Sequence, residues 1–267
     1  MKLTAEWIVG FVDGDGHFGI SQTLNTDRFS FIVSQDQRSV HVLYELKTFF
    51  QCGSVHKAGK NMCEYKVSAK KQLIEIIIPF FEQHALKTEK RKTFEYMAQN
   101  CLNSMESKRQ LNINTVDDKL TLDWLIGFID AEGSFVCSLV NNQFIAQMII
   151  GLDPKDSRIL DKIKDFLGYG VRYAKTGTEV FQLSAQKDKY HFINTYVLTK
   201  GSKDRLRTHK RIGARKWSKL ILFLQTDQHK TQLGWNKAYK KYLNFKKALQ
   251  TGFLVEDRVR PALEEAE

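Results

Sequence analysis

The stretch VDGDGHFGI, near the start of the chain, places acids and glycines at spacings that two kinds of binding site use. Gly14, Gly16 and Gly19 have the G-x-G-x-x-G spacing of a dinucleotide-binding turn. Asp13 and Asp15 resemble the first two ligands of a calcium loop. A third possibility is that the chain uses Asp15 for some other chemistry.

Neither of the first two interpretations fits the residues around the motif. A dinucleotide-binding turn joins a strand to a following helix, so that the helix N-terminus meets the pyrophosphate. Here the apolar periodicity predicts a helix before the glycines and a strand after them. In a calcium loop, the positions of His17, Phe18 and Leu24 need an acid or amide, a glycine and a glutamate. The role of Asp15 therefore has to be sought elsewhere in the chain.

An internal repeat supplies a second acid. TAEWIVGFVDGDGHF (residues 4–18) aligns without gaps on TLDWLIGFIDAEGSF (residues 121–135), with seven of fifteen positions identical and Glu132 opposite Asp15. Further along, VLYELKTFFQCG aligns with ILDKIKDFLGYG, YKVSAKK with FQLSAQK, and LKTEKR with LRTHKR. The offset of 117 residues is the length of a domain, which indicates a tandem duplication.

The duplication divides the chain into two copies. We expect copy one at residues 1–102, a polar linker at 103–120, and copy two at 121–267, with an extra basic helix near the C-terminus. The periodicity of each copy predicts the order αββαββα, an α+β unit with an antiparallel sheet. The two copies should be related by a pseudo-twofold axis.

Composition limits the class of protein. The chain of 267 residues has 41 Lys and Arg against 30 acids, a net charge of +11, which favours a polyanionic partner. Four scattered cysteines indicate a reducing compartment rather than a disulfide framework or a zinc site: Cys52, Cys63, Cys101 and Cys137. We find no signal peptide or bilayer-spanning segment, and expect a soluble intracellular protein without a membrane partner.

One face of each predicted sheet carries hydrogen-bonding side chains, a few cations and some small apolar residues. Such a face suits base edges in the major groove of DNA, although an ordinary solvated face is the alternative. The candidate DNA-binding residues are Ser21, Thr23, Asn25, Arg28, Ser30, Ser34, His56 and Lys66 in copy one, and Ser138, Val140, Asn142, Gln147, Arg172 and Gln182 in copy two.

Both first helices carry small residues four positions apart. Residues at this spacing share a helix face and allow two helix backbones to approach closely. We therefore predict a helix–helix interface at the pairs Gly10 with Gly14 and Gly127 with Ala131.

Such packing would place Asp15 and Glu132, at the ends of these helices, side by side. Two close carboxylates repel each other unless a metal or a proton holds them. Magnesium prefers oxygen ligands, phosphate oxygens can complete its shell, and bound metals can activate water for phosphodiester hydrolysis. The alternative is that both acids only cap their helices and are solvated.

The segments IVGFVDGDG and LIGFIDAEG resemble the two signature motifs of the LAGLIDADG homing endonuclease family, in its single-chain form encoded by group I introns. The resemblance implies two antiparallel sheets that form a saddle over double-stranded DNA, bound by a monomer. It also implies magnesium-dependent cleavage, with manganese as a substitute, across the minor groove of a long target, leaving short 3′ overhangs. Because the two sheet faces differ, the target should be an imperfect palindrome. An organellar or prokaryotic home is compatible with the family.

The same resemblance suggests roles for individual residues. Asp15 and Glu132 match the expected metal ligands, and Gln35 matches the polar residue that orders solvent at the site. Leu152 stands at the position of Gln35 in copy two, so the two halves should be chemically unequal. Basic residues near the cleaved phosphates match Lys90 and Lys210, with Lys87 and Arg207 as alternatives; Asp13 and Asp130 match structural acids.

Two other functions remain open at the level of sequence. Some members of the resembled family are maturases that bind their group I intron RNA and help it fold. A descendant that only binds DNA is a further alternative. Loss of one motif acid would favour the maturase, and both acids, Asp15 and Glu132, are present.

Overall fold

The computed structural model describes residues 2–22, 27–104, 109–113, 119–198 and 205–251. Copy one contains, in order, α1 (Ala5–Asp15), β1 (Gly16–Gln22), β2 (Asp27–Asp36), α2 (Val40–Phe50), β3 (Ser54–Lys57), β4 (Met62–Val67), α3 (70–83) and α4 (Lys90–Asn103). Copy two contains α5 (Leu122–Glu132), β5 (Gly133–Val140), β6 (Gln143–Leu152), α6 (Ser157–Leu167), β7 (Val171–Lys175), β8 (Thr178–Leu183), α7 (186–197), α8 (Lys210–Leu224) and α9 (Gln232–Thr251).

The predicted αββαββα order is present in both copies, so the fold is α+β. The last helical part of each copy is divided in two, as α3 and α4 in copy one and as α7 and α8 in copy two. One segment of α3 and one of α7 have π-helical geometry, at Leu73–Ile77 and Ile193–Val197. The extra basic helix predicted near the C-terminus is α9. In the described part of the chain, every helix is too short or too polar to span a bilayer.

Each copy forms one four-stranded antiparallel sheet. The strand orders are β1-β2-β4-β3 and β5-β6-β8-β7. Alternation along the strands gives each sheet one face against its helices and one open face. Phe18, Phe31 and Val67 stand opposite one another on the covered face of copy one.

Aromatic side chains join the covered face of each sheet to its helices. In copy one, Phe18 stacks on Phe31 with ring centroids 5.1 Å apart and meets Phe94 of α4 edge-on at 5.2 Å. In copy two, Phe135 packs against Trp217 of α8 with centroids 5.3 Å apart. The sheets are thereby held to the helices that carry the candidate basic residues.

Helices α1 and α5 approach closely at two glycines. A Cβ atom added to Gly10 would lie 2.0 Å from the carbonyl oxygen of Trp124, and one added to Gly127 would lie 2.1 Å from that of Trp7. No real Cβ atom tolerates such distances, so only glycine fits at either position. The predicted helix–helix contact is therefore present at these two residues.

The first turns of α1 and α5 are also joined reciprocally. Thr4 caps α1 and donates its hydroxyl to Asp123 at 2.9 Å, and Thr121 donates to Glu6 at 3.2 Å. Each threonine oxygen accepts the backbone N–H three residues later, at 3.2 and 3.1 Å. One side chain thus satisfies its own helix N-terminus and binds the neighbouring helix.

The boundary between compact units differs from the predicted linker at 103–120. The first unit extends to Ala131 and the second begins at Glu132. The reason is the close packing of α5 on α1, which makes the first helix of copy two part of the first unit. Gly14 and Ala131, the other predicted interface residues, are both buried.

The buried acid of the first motif, Asp13, ties α1 to the connection before α4. Its carboxylate accepts the backbone N–H groups of Lys87 and Thr88, the Thr88 hydroxyl at 2.7 Å and the Trp124 indole N–H at 2.8 Å. Burial raises the pKa of the Asp13 carboxyl, and these hydrogen bonds oppose that shift. Asp13 is thus a structural acid, as the sequence suggested, and Asp130 is fully buried as well.

We expect Gly10→Ala to lower the free energy of unfolding by about 3 kcal/mol, at the upper end of overpacking costs, because the clash is with backbone rather than a flexible side chain. Urea denaturation measures the change. Gly213→Ala is the matched control, since its added Cβ meets only the end of the Leu249 side chain at 3.1 Å. Equal stability of the two variants would contradict close packing of α1 on α5.

We expect Asp13→Asn to lower the free energy of unfolding by about 2–3 kcal/mol, because an amide group presents N–H donors to the N–H donors around it. Asp153→Asn is the control: that exposed carboxylate accepts the backbone N–H of Lys155 at 3.0 Å and lies 3.8 Å from the Lys155 ammonium, and its loss should cost less than about 1 kcal/mol. Similar losses in both variants would argue against the buried network.

Candidate functional site

The C-terminal end of α1 presents Asp15 to a side chain from the neighbouring strand. Asp15 is partly exposed, and Gln35 is only 7% exposed at the end of β2. The amide nitrogen of Gln35 donates to one Asp15 carboxylate oxygen at 2.5 Å. Because a buried amide fixes one carboxylate oxygen, the orientation of the Asp15 side chain is set by the fold.

Lys90 lies at the same helix end. It is the first residue of α4, and its ammonium donates to the carbonyl of Gly14 and lies 3.5 Å from that of Val12. A cation at the carbonyl end of a helix is favourable because unpaired carbonyls carry partial negative charge there. The structure therefore brings together three of the sequence-predicted residues: Asp15, Gln35 and Lys90.

Copy two repeats the backbone positions but not every side chain. Glu132 is the last residue of α5 and is partly exposed. Lys210 is the first residue of α8, and its backbone N–H donates to the Thr208 hydroxyl at 3.3 Å. The backbone N–H of Lys90 donates to the Thr88 hydroxyl in the same way, at 3.4 Å. Leu152, at the end of β6, has no polar group.

The alternative basic residues lie just before these helix starts. Lys87 uses its backbone N–H to bind Asp13. Arg207 is partly exposed in the short connection before α8. Both lie three residues before a helix start, Lys87 before Lys90 and Arg207 before Lys210.

The carboxylate oxygens of Asp15, at the end of α1, are suitable ligands for a hard divalent cation. Carboxylate oxygen is the ligand type that magnesium prefers, and magnesium sites in proteins commonly combine one or two carboxylates with substrate phosphates and water. The hydrogen bond from Gln35 engages one of the two carboxylate oxygens of Asp15. The sequence-predicted ligand thus has the right chemistry and a fixed orientation.

The open face of the copy-one sheet has the predicted polar composition. The strand register places Ser21 opposite Arg28, and Lys66 between Ile32 and Ser54. The described members of the predicted set all lie on this face: Ser21, Arg28, Ser30, Ser34, His56 and Lys66. Thr23 and Asn25 lie outside the described residues.

Glu64 is a residue of this face that the sequence prediction missed. It lies between Ser34 and His56 in the sheet, accepts the Ser34 hydroxyl at 3.1 Å and is 3.6 Å from the His56 imidazole. The signal was available, since Glu64 alternates with Lys66 along one strand. An acid at this position can accept a hydrogen bond from a cytosine amino group.

The open face of the copy-two sheet is less charged. Its cross-strand pairs are Ser138 with Ile145, Val136 with Gln147, and Ile149 with Gln182. Of the predicted residues, Ser138, Val140, Gln147 and Gln182 lie on this face. Asn142 is in the β5–β6 turn with a φ of 60°, and its carbonyl accepts the Trp235 indole N–H at 3.0 Å.

The prediction for Arg172 was wrong. Arg172 stands opposite Phe181, which is fully buried, so its side chain belongs to the helix-covered face. The guanidinium binds Asp161 of α6 and lies 3.3 Å from Glu179. Arg172 therefore joins β7 to α6 and β8 through these ion pairs.

The error has a physical cause. The one-residue deletion in copy two falls after β7 and not before it, so β7 keeps the original offset from β3. A slip of one residue moves a side chain to the opposite face of a sheet. The open face at this strand instead carries Tyr173, whose hydroxyl donates to Gln182 at 2.9 Å.

Comparison with known proteins gives a consistent result. The chain is similar to the probable intron-encoded endonuclease Cox1-I1b of Schizosaccharomyces pombe, with 33% identity over 49% of this chain and 40% of that protein. It is also similar to an uncharacterized cox1 intron-2 protein of the same organism, with 26% identity over 88% of this chain and 71% of the relative. A third relative is the probable intron-encoded endonuclease 4 of Neurospora crassa, with 28% identity over 84% of this chain and 41% of the relative. The chain thus spans well under half the length of two of these relatives.

Solved structures share the fold. The I-SmaMI LAGLIDADG homing endonuclease bound to cleaved DNA aligns with a TM-score of 0.75 and 22% identity, over 95% of this chain and 99% of that chain. The LAGLIDADG meganuclease I-AabMI bound to uncleaved DNA aligns with a TM-score of 0.73 and 20% identity, over 89% of this chain and 97% of that chain.

A family model identifies the family to which the chain belongs. The LAGLIDADG endonuclease model matches residues 8–101 and, separately, residues 125–221, which together make up most of the chain. The two matches correspond to the two copies found in the sequence. The chain is a member of the LAGLIDADG endonuclease family, with both of the family's motifs in one polypeptide.

Proposed function

We propose that this protein is a site-specific double-strand DNA endonuclease that acts as a monomer. The observation that carries the proposal is the end of α1, where Gln35 orients the Asp15 carboxylate and Lys90 lies at the same helix end. Membership of the LAGLIDADG endonuclease family and the second acid at the end of α5 support it.

In this proposal Asp15 and Glu132, one from each copy, are the protein ligands of magnesium or manganese. When bound, the metal supplies Lewis-acid activation of water and stabilises charge on the phosphodiester oxygens. The carboxylates hold it in place, and the hydrogen bond from Gln35 keeps Asp15 from rotating away. The solved structure of I-SmaMI bound to an uncleaved DNA target was obtained in the presence of calcium ions, which supports a divalent cation in this proposal.

Lys90 and Lys210 are proposed to neutralise phosphate charge near the cleaved bonds. Each is the first residue of its helix, so its Cα position is set by the fold while its long side chain can turn toward DNA. Lys90 binds helix carbonyls in the structure and would exchange these for a phosphate oxygen. An ammonium bound to phosphate forms a charge-assisted hydrogen bond, which is stronger than one to a neutral carbonyl.

The open faces of the two sheets are proposed to read base edges of a long target. Their compositions differ, because copy one carries Arg28, Lys66 and Glu64, whereas copy two carries valine, isoleucine and glutamine at its open positions. A protein with unequal faces selects an imperfect palindrome. We further propose cleavage across the minor groove with short 3′ overhangs, and an organellar site of action, as the intron-encoded relatives suggest.

We expect Asp15→Asn, and separately Glu132→Gln, to reduce double-strand cleavage by at least about a thousandfold, because loss of metal binding removes several kcal/mol of transition-state stabilisation. DNA binding should persist. A target is first obtained by selecting cleaved duplexes from a random library with magnesium, and cleavage of a plasmid bearing it is then measured. Full activity of either purified variant would contradict the ligand assignment.

We expect Gln35→Leu, which gives copy one the leucine of copy two, to slow cleavage of one strand by about 10- to 100-fold, the usual cost of losing a group that orients a metal ligand. The nicked intermediate of a supercoiled plasmid should accumulate. Gln83→Leu makes the same chemical change at an exposed position and is the control. Equal slowing of both strands would argue that Gln35 acts only through stability.

A further inference from the structure

The positive charge of the chain is concentrated in one segment. Residues 205–251 contain thirteen Lys and Arg and a single acid, Asp227, an excess of +12 in a chain whose net charge is +11. By contrast, two of the three basic residues of α4 in copy one pair with nearby acids, with Arg91 2.7 Å from Glu95 and Lys92 2.5 Å from Glu89. The excess therefore belongs to α8 and α9 and has no counterpart in copy one.

Helix α9 is firmly docked on the tip of the β5–β6 hairpin. The Trp235 indole donates to the Asn142 carbonyl at 3.0 Å, and its ring packs against Phe144 at 5.8 Å and Tyr239 at 5.2 Å. A Cβ atom added to Gly234 would lie 1.7 Å from the Gln228 carbonyl oxygen, which shows how closely the helix start meets the preceding turn. The helix is thus a fixed part of the second unit.

The outward face of α9 carries donors and no acids. Asn236, Lys240 and Asn244 are exposed at four-residue spacing, and Lys237 is exposed three residues before Lys240. Among the residues that the structure describes, neither Lys237 nor Lys240 forms an ion pair. Lysine and asparagine side chains commonly bind the phosphate oxygens of DNA.

The apolar face of α9 is already used. Ala238 and Phe245 are fully buried in the second unit. A helix that lies on a membrane needs a wide free apolar face, whereas here three leucines and Tyr239 are exposed, separated by lysines and asparagines. Stacking on unpaired bases needs a free aromatic ring, and the exposed Tyr239 ring already stacks on Trp235 at 5.2 Å and on Tyr242 at 6.1 Å. These features favour the phosphate backbone of a duplex.

We infer that Lys237 and Lys240 of α9 bind the phosphate backbone of double-stranded DNA beyond the end of the target read by the copy-two sheet. The inference rests on the proposed function for the position of the DNA, because α9 is anchored at the tip of the hairpin whose open face would read bases. The described residues of copy one contain no such helix, so the protein should cover a longer stretch of DNA on the copy-two side.

The test uses the full-length protein and a random-sequence 40-bp DNA duplex, since phosphate contacts do not depend on sequence. Binding is measured by fluorescence anisotropy over a range of salt concentrations. For Lys237→Gln with Lys240→Gln, the slope of log K against log salt should fall by about 2, at about 0.9 per phosphate contact. The control, Lys155→Gln with Lys164→Gln, removes the same charge from the same unit and should change the slope by less than 0.5, a threshold of roughly half of one phosphate contact.

Each outcome decides the inference. Equal slopes for the α9 and control variants would overturn it, since the effect would then be one of net charge. A loss confined to an RNA duplex of the same length, or to vesicles of anionic lipid, would also overturn it. The proposed function fails separately, through the cleavage assay with Asp15→Asn, because binding to a random duplex requires no cleavage.

Discussion

The contact between the backbones of α1 and α5 is the constraint on which the rest of the structure depends. At Gly10 and Gly127 there is no room for a single added carbon atom, so these helices are fixed with almost no freedom to slide. The reciprocal threonine bonds at their first turns set the relative rotation of the two helices. Asp15 and Glu132 are the last residues of these helices. The backbone position of each acid is therefore fixed by the packing of its helix.

The hydrogen bonds of the Asp13 carboxylate connect α1 to the segment that precedes Lys90. The carboxylate binds two backbone N–H groups immediately before α4, whose first residue is Lys90. The end of α1 and the start of α4 are therefore one rigid assembly in copy one. A chemical group that must meet a phosphate benefits from such support, since errors of about an ångström in position are costly in catalysis.

Much of this arrangement could be read from the sequence, and the failures have physical reasons. The duplication, the element order and the glycine contacts follow from patterns within each copy, because periodicity and small-residue spacing report local geometry. Asp15 could be predicted as a metal ligand only after the repeat aligned it with Glu132. Arg172 was assigned to the wrong face because the position of a one-residue deletion depends on strand pairing, which sequence spacing alone leaves undetermined. Glu64 was missed although it alternates with Lys66 along β4; its contacts with Ser34 and His56 come from neighbouring strands, and strand pairing is not given by sequence spacing.

The alternation of the sheets has a consequence for how such a protein changes over evolutionary time. Side chains on the open faces, such as Ser30 and Gln147, point away from the aromatic core and from the Asp13 network. Replacing them alters neither the helix contact nor the carboxylates. Under the proposed function, a lineage can therefore adapt to a new DNA target by exchanging residues on one side of each sheet while the carboxylates and the helix contact stay unchanged. The same separation offers a protein engineer a surface that can be randomised without rebuilding the scaffold.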